Sequence, residues 1–248
     1  MVILVGIVAA GVLVQGPGET ARGVVQLQLH PARLITDFTE VAGAGAAMVN
    51  AALVALIGLA LLKINHIQIS GPAVATVFTR LGFGLFGKTP VNILPIIAGV
   101  CVSARLAGKP FGQYILIALF GTALGPVVST VAVELAPVGA FSWPLAVTVG
   151  VAVGILLPPA AMAMLRMHQG YSLYNVGITS GFLGLFVASI LVASRTGTEL
   201  GGTLILNSAP ELSLQLLIPA VSLLLIGAGL LSDFRRAFPD FLRITKQS

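Results

Sequence analysis

The sequence predicts an all-α protein, a polytopic transmembrane helical bundle of about seven or eight membrane segments, one of them a candidate re-entrant piece. Three observations carry this prediction. Of 248 residues 57% are hydrophobic and 8% charged, whereas about a quarter of an average soluble domain is charged. The mean hydropathy is +1.04. The chain also holds a series of uncharged runs near the length of about 20 residues that crosses a bilayer. A water-soluble globule is excluded, because so few ionisable groups would not keep its surface dissolved. Collagen-like repetition fails on 29 glycines without a triplet period, and a disulfide scaffold fails on the single cysteine, Cys101.

In chain order, Val2 to Val14 is a short apolar run. Lacking a basic flank, it reads as a shortened or partly interfacial first helix rather than a signal peptide. From Gly16 to Glu40 the chain turns polar, with Glu19, Arg22, His30, Arg33, Asp37 and Glu40, and reads as a loop or interfacial helix. Val41 to Leu62 is a full span. Gly71 to Gly87 (GPAVATVFTRLGFGLFG) is the re-entrant or broken piece, with Arg80 and four glycines in 17 residues. Charge and non-helical backbone at membrane depth are tolerated only against protein or enclosed water, so this piece is expected to face the bundle interior. Val91 to Ala107 is near the minimum length, and Phe111 to Val133, Trp143 to Leu165, Ser172 to Ser194 and Leu212 to Ser232 are long enough to cross. Gly197 to Glu211 is a polar connection rich in Gly and Thr. The organisation expected is one integral membrane domain over 1–248: a leading helix and polar connection (1–40), a helical membrane unit (41–232) and a basic tail (233–248).

Net charge is +5, with 13 Lys+Arg against 8 Asp+Glu, but the basic residues are scattered singly between apolar runs. That pattern fits positive loops retained on the cytoplasmic face and not a nucleic-acid partner. The tail cluster, Arg235, Arg236, Arg243 and Lys246, fits anionic lipid head groups. If all eight segments cross, loop Lys/Arg divide eight to four; if Gly71 to Gly87 only dips in, they divide nine to three, with the Gly16 to Glu40 loop and the tail cytoplasmic. The positive-inside rule favours the second topology. Making Ser172 to Ser194 re-entrant as well gives six to six and is disfavoured.

Gly82, Gly84 and Gly87 match the G-x-G-x-x-G spacing of a dinucleotide fold, but no Asp or Glu occurs between Glu40 and Glu134 to hold a ribose. They are read instead as allowing a tight intramembrane turn. Gly121/Gly125, Gly150/Gly154 and Gly177/Gly181 have the G-x-x-x-G spacing that lets helix backbones meet. Pro95, Pro126, Pro158, Pro159 and Pro219 each remove a backbone donor, so kinks are expected there. Cys101 is expected to pack in the core, and His30, His66 and His168 to be ordinary loop residues.

Polar residues inside the apolar runs form two groups, Thr76, Thr79, Arg80, Lys88, Thr89 and Asn92, and Tyr171, Tyr174, Asn175, Thr179 and Ser180. Each needs a hydrogen-bond partner that lipid cannot supply. Either these groups line a polar pathway, or Arg80 and Lys88 snorkel to head groups while the hydroxyls bond back to their own helices.

The segments FGKTPVNILPIIAGVCVSAR (86–105), IALFGTALGPVVS (117–129) and HQGYSLYNVGITSGF (168–182), with LITDF (34–38), resemble a family of prokaryotic multi-spanning membrane proteins defined as domain of unknown function 1576. The resemblance covers roughly Arg33 to the C-terminus. It implies a unit commonly found in tandem, of which this chain holds one copy after a leading helix, with FLRITKQS resembling the linker to another. Eight crossings would make such copies inverted, seven parallel. The family transfers no activity or residue role.

The function expected is a passive or ion-coupled transporter or channel for a small solute or ion, in the cell inner (plasma) membrane. Thr79, Arg80, Asn92, Thr122, Asn175 and Thr179 are the candidate substrate-binding residues: Arg80 supplies charge and the others neutral hydrogen bonds. The alternative is a non-transporting scaffold or assembly protein whose buried polar groups only lock helices. Enzymology on a lipid would need Asp37 and Glu40 near His30, and is not expected; no cofactor or metal is implied. The partners expected are the bilayer, an unknown solute, and a second repeat or homo-oligomer.

Overall fold

A computed structural model describes residues 1–31, 36–135, 142–172, 174–194, 212–232 and 239, and no strand occurs among them. The basic tail cluster, Arg33, the first two residues of LITDF and the 197–211 connection lie outside the described residues. The chain divides into two compact units, Met1 with Ile3–Ser208, and Val2 with Ala209–Ser248. In the second unit the described helix is Leu212–Ser232, the same bounds the apolar run predicts.

The first unit opens with α1 (Val2–Gln15) and α2 (Pro17–Leu29), which meet at 110°. Gly16 makes the corner at φ +84 and Pro17 starts α2, where its missing N–H costs nothing. The polar stretch after Gly16 is therefore a helix. It packs on α4 (Ala44–Ile64) with Leu27 and Thr20 buried. Between them lies the short α3 (Phe38–Ala42), whose first N–H groups are capped by Asp37, accepting from Thr39 N at 2.8 Å. Asp37 thus opens a helix.

The span expected from Val41 breaks at Gly43, where φ is +86, so α4 begins at Ala44. Gln15 holds this break from across the unit: its Nε2 donates to Ala42 O at 2.8 Å and its Oε1 accepts from Ala46 N at 2.8 Å.

The segment with Arg80 forms α5 (Gly71–Phe83), and a turn through Lys88 leads into α6 (Pro90–Leu106). Phe111–Val133 is one helical run of changing pitch. It passes from a 3₁₀ turn into α7 (Ile115–Gly121), through a second 3₁₀ turn at Thr122–Leu124, and into α8 (Gly125–Thr130). A π-helical turn, Val131–Leu135, follows. Pro126 lies in the first turn of α8 and accounts for this break, whereas Pro95, Pro158 and Pro159 sit inside uninterrupted helices.

The unit closes with α9 (Ser142–His168) and α10 (Asn175–Ser194). Its largest core is built where α6, the α7–α8 run, α9 and α10 meet, on Ile96, Val100, Val128, Val153, Leu157 and Leu183. Cys101 is only partly buried on α6.

Two of the three small-residue pairs serve close packing. A Cβ on Gly154 would strike the Ile96 carbonyl, and one on Gly150 would lie 2.6 Å from Val128 and 2.7 Å from Pro95. Gly121 and Gly125 are closed off by Leu157 and Asn92 at 2.5 and 2.7 Å. The third pair does not. Nothing lies within 4 Å of the Cβ position of Gly181, and Gly177 meets only Tyr174 of its own segment at 3.5 Å. These two glycines border open space because α7 and α8 stand away from α10 there.

Among the described residues, three helices are long and apolar enough to cross a membrane: Ala44–Ile64, Phe111–Val133 and Ser142–His168. The bent α1–α2 pair makes a fourth if it counts as one span. Length and composition therefore give three to four candidate spans among the described residues. The chain is a helical membrane protein.

Candidate functional site

The site grows from a small-residue face of α4. Asn50, Val54 and Gly58 recur at intervals of four, stacking on one side of the helix with Ala47, Ala51 and Ala55 beside them. Such a face admits close neighbours. Gly84 leans against it so tightly that a Cβ would lie 2.5 Å from Ala51 Cα.

Asn50, fully buried, donates from Nδ2 to the carbonyls of Gly84 at 2.7 Å and Lys88 at 2.8 Å, while its Oδ1 accepts from Gln28 at 3.3 Å. It thereby fixes both ends of the turn between α5 and α6. Asn92 holds the same turn from the other side. It forms a reciprocal cap with Thr89 and donates to Gly87 O at 2.9 Å and Ser129 Oγ at 3.0 Å. Gly87 adopts φ +76, which only glycine tolerates readily, so the glycines of the false dinucleotide spacing do make a tight turn.

Two cations are buried here. Arg80 and Lys88 are each 1% exposed. Arg80 donates through Nε and Nη2 to a single acceptor, Val54 O, at 3.0 and 2.9 Å, and its Nη1 is buried without a hydrogen-bond partner. Gly58 makes the room: a Cβ there would stand 3.0 Å from Arg80 Nε. Lys88 Nζ donates to Thr122 Oγ1 at 3.2 Å and lies 4.4 Å from the centre of the Phe83 ring. Thr122 Oγ1 in turn donates to Leu119 O at 2.6 Å. Neither cation has a carboxylate partner among the described residues, and the two lie within electrostatic range of each other. Snorkelling is thus overturned for both. Lys88 also leaves the loop count, turning the nine-to-three division into nine to two.

Gly58→Val is expected to push the guanidinium off Val54 O. A thermal midpoint several degrees below wild type would register it, since overpacking a filled site costs about 1–3 kcal/mol.

Lys88 opens onto a cavity of about 1080 Å³ between α5, the α7–α8 run and α10. Thr79, Lys88, Thr130, Tyr174, Asn175 and Ser180 are its polar lining, and Phe83, Leu116, Phe120, Val127 and Leu185 belong to its apolar wall. Ser180, 4% exposed, has no hydrogen-bond partner for its Oγ.

Of the expected site residues, Thr79 and Asn175 line the cavity, and Thr122 reaches it through Lys88. Arg80 lies behind, against α4. Asn92 is committed to the turn, and Thr179 bonds back to Asn175 O at 2.8 Å. Asn175 is braced by His168: two backbone N–H groups, of Gly170 and Ser172, point at Nδ1, so Nε2 carries the proton and donates to Asn175 Oδ1 at 2.8 Å. His168 therefore ties α9 to α10. Asn50 and Ser180 complete the arrangement; an amide in the middle of an apolar, small-residue run was the signal for the first.

The fold and this polar interior define a helical membrane protein with an internal cationic centre. The chain belongs to the family described as Protein of unknown function (DUF1576), which it matches over residues 17–193, earlier at both ends than the resemblance suggested. No curated protein and no solved structure matches it.

Proposed function

We propose that the protein is a passive or ion-coupled carrier or channel for a small anionic solute, acting through the cavity beside Lys88. One observation carries this reading: Lys88 lines an open cavity and Arg80 is buried behind it, with no carboxylate partner for either among the described residues. Buried charges are ordinarily paired, because an unpaired ion in a medium of low dielectric is strongly disfavoured. An anion arriving in the cavity would supply the missing partner.

The finer topology belongs to the same proposal. The three long spans, the bent pair and the shorter apolar helices Pro90–Leu106, Asn175–Ile190 and Gln215–Leu231 make seven crossings, with α5 re-entrant. The part of the polar connection after α2 and the tail are then cytoplasmic, in the cell inner membrane.

Purified protein in liposomes tests the reading. A panel of chloride, phosphate, acetate, octanoate and glycerol, with and without a proton or sodium gradient, is expected to show flux of at least one anion and none of glycerol. Lys88→Met, with unchanged helical circular dichroism, is expected to lower that flux about tenfold or more, the equivalent of one charged hydrogen bond. Absence of flux for every solute would select the scaffold reading, which the internal bonding of Asn50 and Asn92 favours.

A further inference from the structure

We infer that the cavity takes an amphiphile with a singly charged oxyanion head and an apolar tail. The inference rests on the carrier reading only in using the same cavity, and it follows from how the wall is divided.

The head is defined by Lys88 and Ser180. An ammonium has three N–H donors, and Lys88 spends one on Thr122 while the Phe83 ring covers another side. The remaining donor capacity belongs to a group that lines the cavity. Ser180 adds a buried hydroxyl whose Oγ lacks a partner. Among the described residues the lining holds one cation and no anion, so the complement is one negative charge on oxygen.

The tail is defined by everything else. A volume of about 1080 Å³ far exceeds a hydrated chloride or phosphate, and sites of roughly 300–1,000 Å³ take whole organic molecules. Leu116, Phe120, Val127 and Leu185 would gain nothing from a small hydrophilic ion. Gly181 on α10 borders this space with nothing within 4 Å of its Cβ position, whereas Gly184 is met by Leu124 at 3.3 Å. A single chain of methylenes fits such a space and keeps its head at Lys88. The same chemistry comes from a soluble carboxylate or from an anionic phospholipid.

Thermal unfolding of the protein in phosphatidylcholine nanodiscs, with octanoate as probe, tests the inference. Octanoate is expected to raise the midpoint, whereas octanol, octylammonium and acetate at the same concentration are not. Lys88→Met, which keeps the volume and removes the charge, is expected to weaken the octanoate response about tenfold or more. Gly181→Leu, at a position where a Cβ meets nothing within 4 Å, occupies part of this space and is expected to do the same while folding normally. Discs containing phosphatidylglycerol separate the sources: a response lost only there assigns the head to a lipid, and a response kept assigns it to a soluble acid, each in support.

An octanoate shift equal in wild type, Lys88→Met and Gly181→Leu, or no shift in either disc, overturns the inference. Binding without flux ends the carrier reading and keeps this one. Flux of phosphate without octanoate binding does the reverse.

Discussion

Gly154→Val is expected to abolish the folded bundle. The α6–α9 contact is made backbone to backbone: a Cβ on Gly154 would collide with the Ile96 carbonyl and stand 2.8 Å from Gly99 Cα and 3.1 Å from Ile96 C. The reverse holds for Gly99, which faces the Val151 carbonyl, Gly154 Cα at 2.7 Å and Ile155 N at 2.9 Å. No side chain can swing aside, because the atoms in the way are main chain. Between helices in lipid, where apolar surface gains little by burial, such close approach is a principal source of attraction. The cost should reach about 3 kcal/mol or more, at the upper end of overpacking. Size exclusion in detergent should show aggregated or absent material, while Gly82→Val, where nothing lies within 4 Å, should elute as wild type. Equal behaviour of the two variants would refute the contact.

Asn50→Leu is expected to loosen the turn that carries Lys88. The substitution leaves the carbonyls of Gly84 and Lys88 without the amide they share, in a place where Asn50 itself is fully buried. Stranded acceptors cost about 1–3 kcal/mol each, so a fall in thermal midpoint of several degrees should follow. Hydrogen exchange localises the effect: Leu85 to Lys88 should exchange faster, and the α6–α9 contact should stay protected. Unchanged exchange in that turn would show that Asn92 and Thr89 hold it alone.

The membrane class was legible in composition, because lipid imposes one strong requirement on a whole chain. Element limits were legible where an apolar run ends without competition, as at Leu212 and Ser232. They were not where backbone geometry intervenes: Gly43 at φ +86 cuts the run from Val41, and the pitch changes within Phe111–Val133 leave its hydropathy unaltered. The site was half legible. Arg80, Thr79 and Asn175 stood out as polar residues in apolar runs. Lys88 was grouped with them but not counted among the binding residues, because a lysine just past Gly87 looks like a loop residue whether it faces water or Phe83. Gly177 and Gly181 have the spacing of helix glue, and only the position of α7 and α8 shows that they border a space.

The stretch from Val41 to Val133 contains no Asp or Glu, yet it encloses a guanidinium and an ammonium. On the carrier reading, the counter-charge to these two cations comes from the solute. The same reading expects sodium, potassium and hydronium to be disfavoured in the cavity by charge alone. Discrimination by valence comes ahead of discrimination by shape, and a coupling cation would need a route of its own.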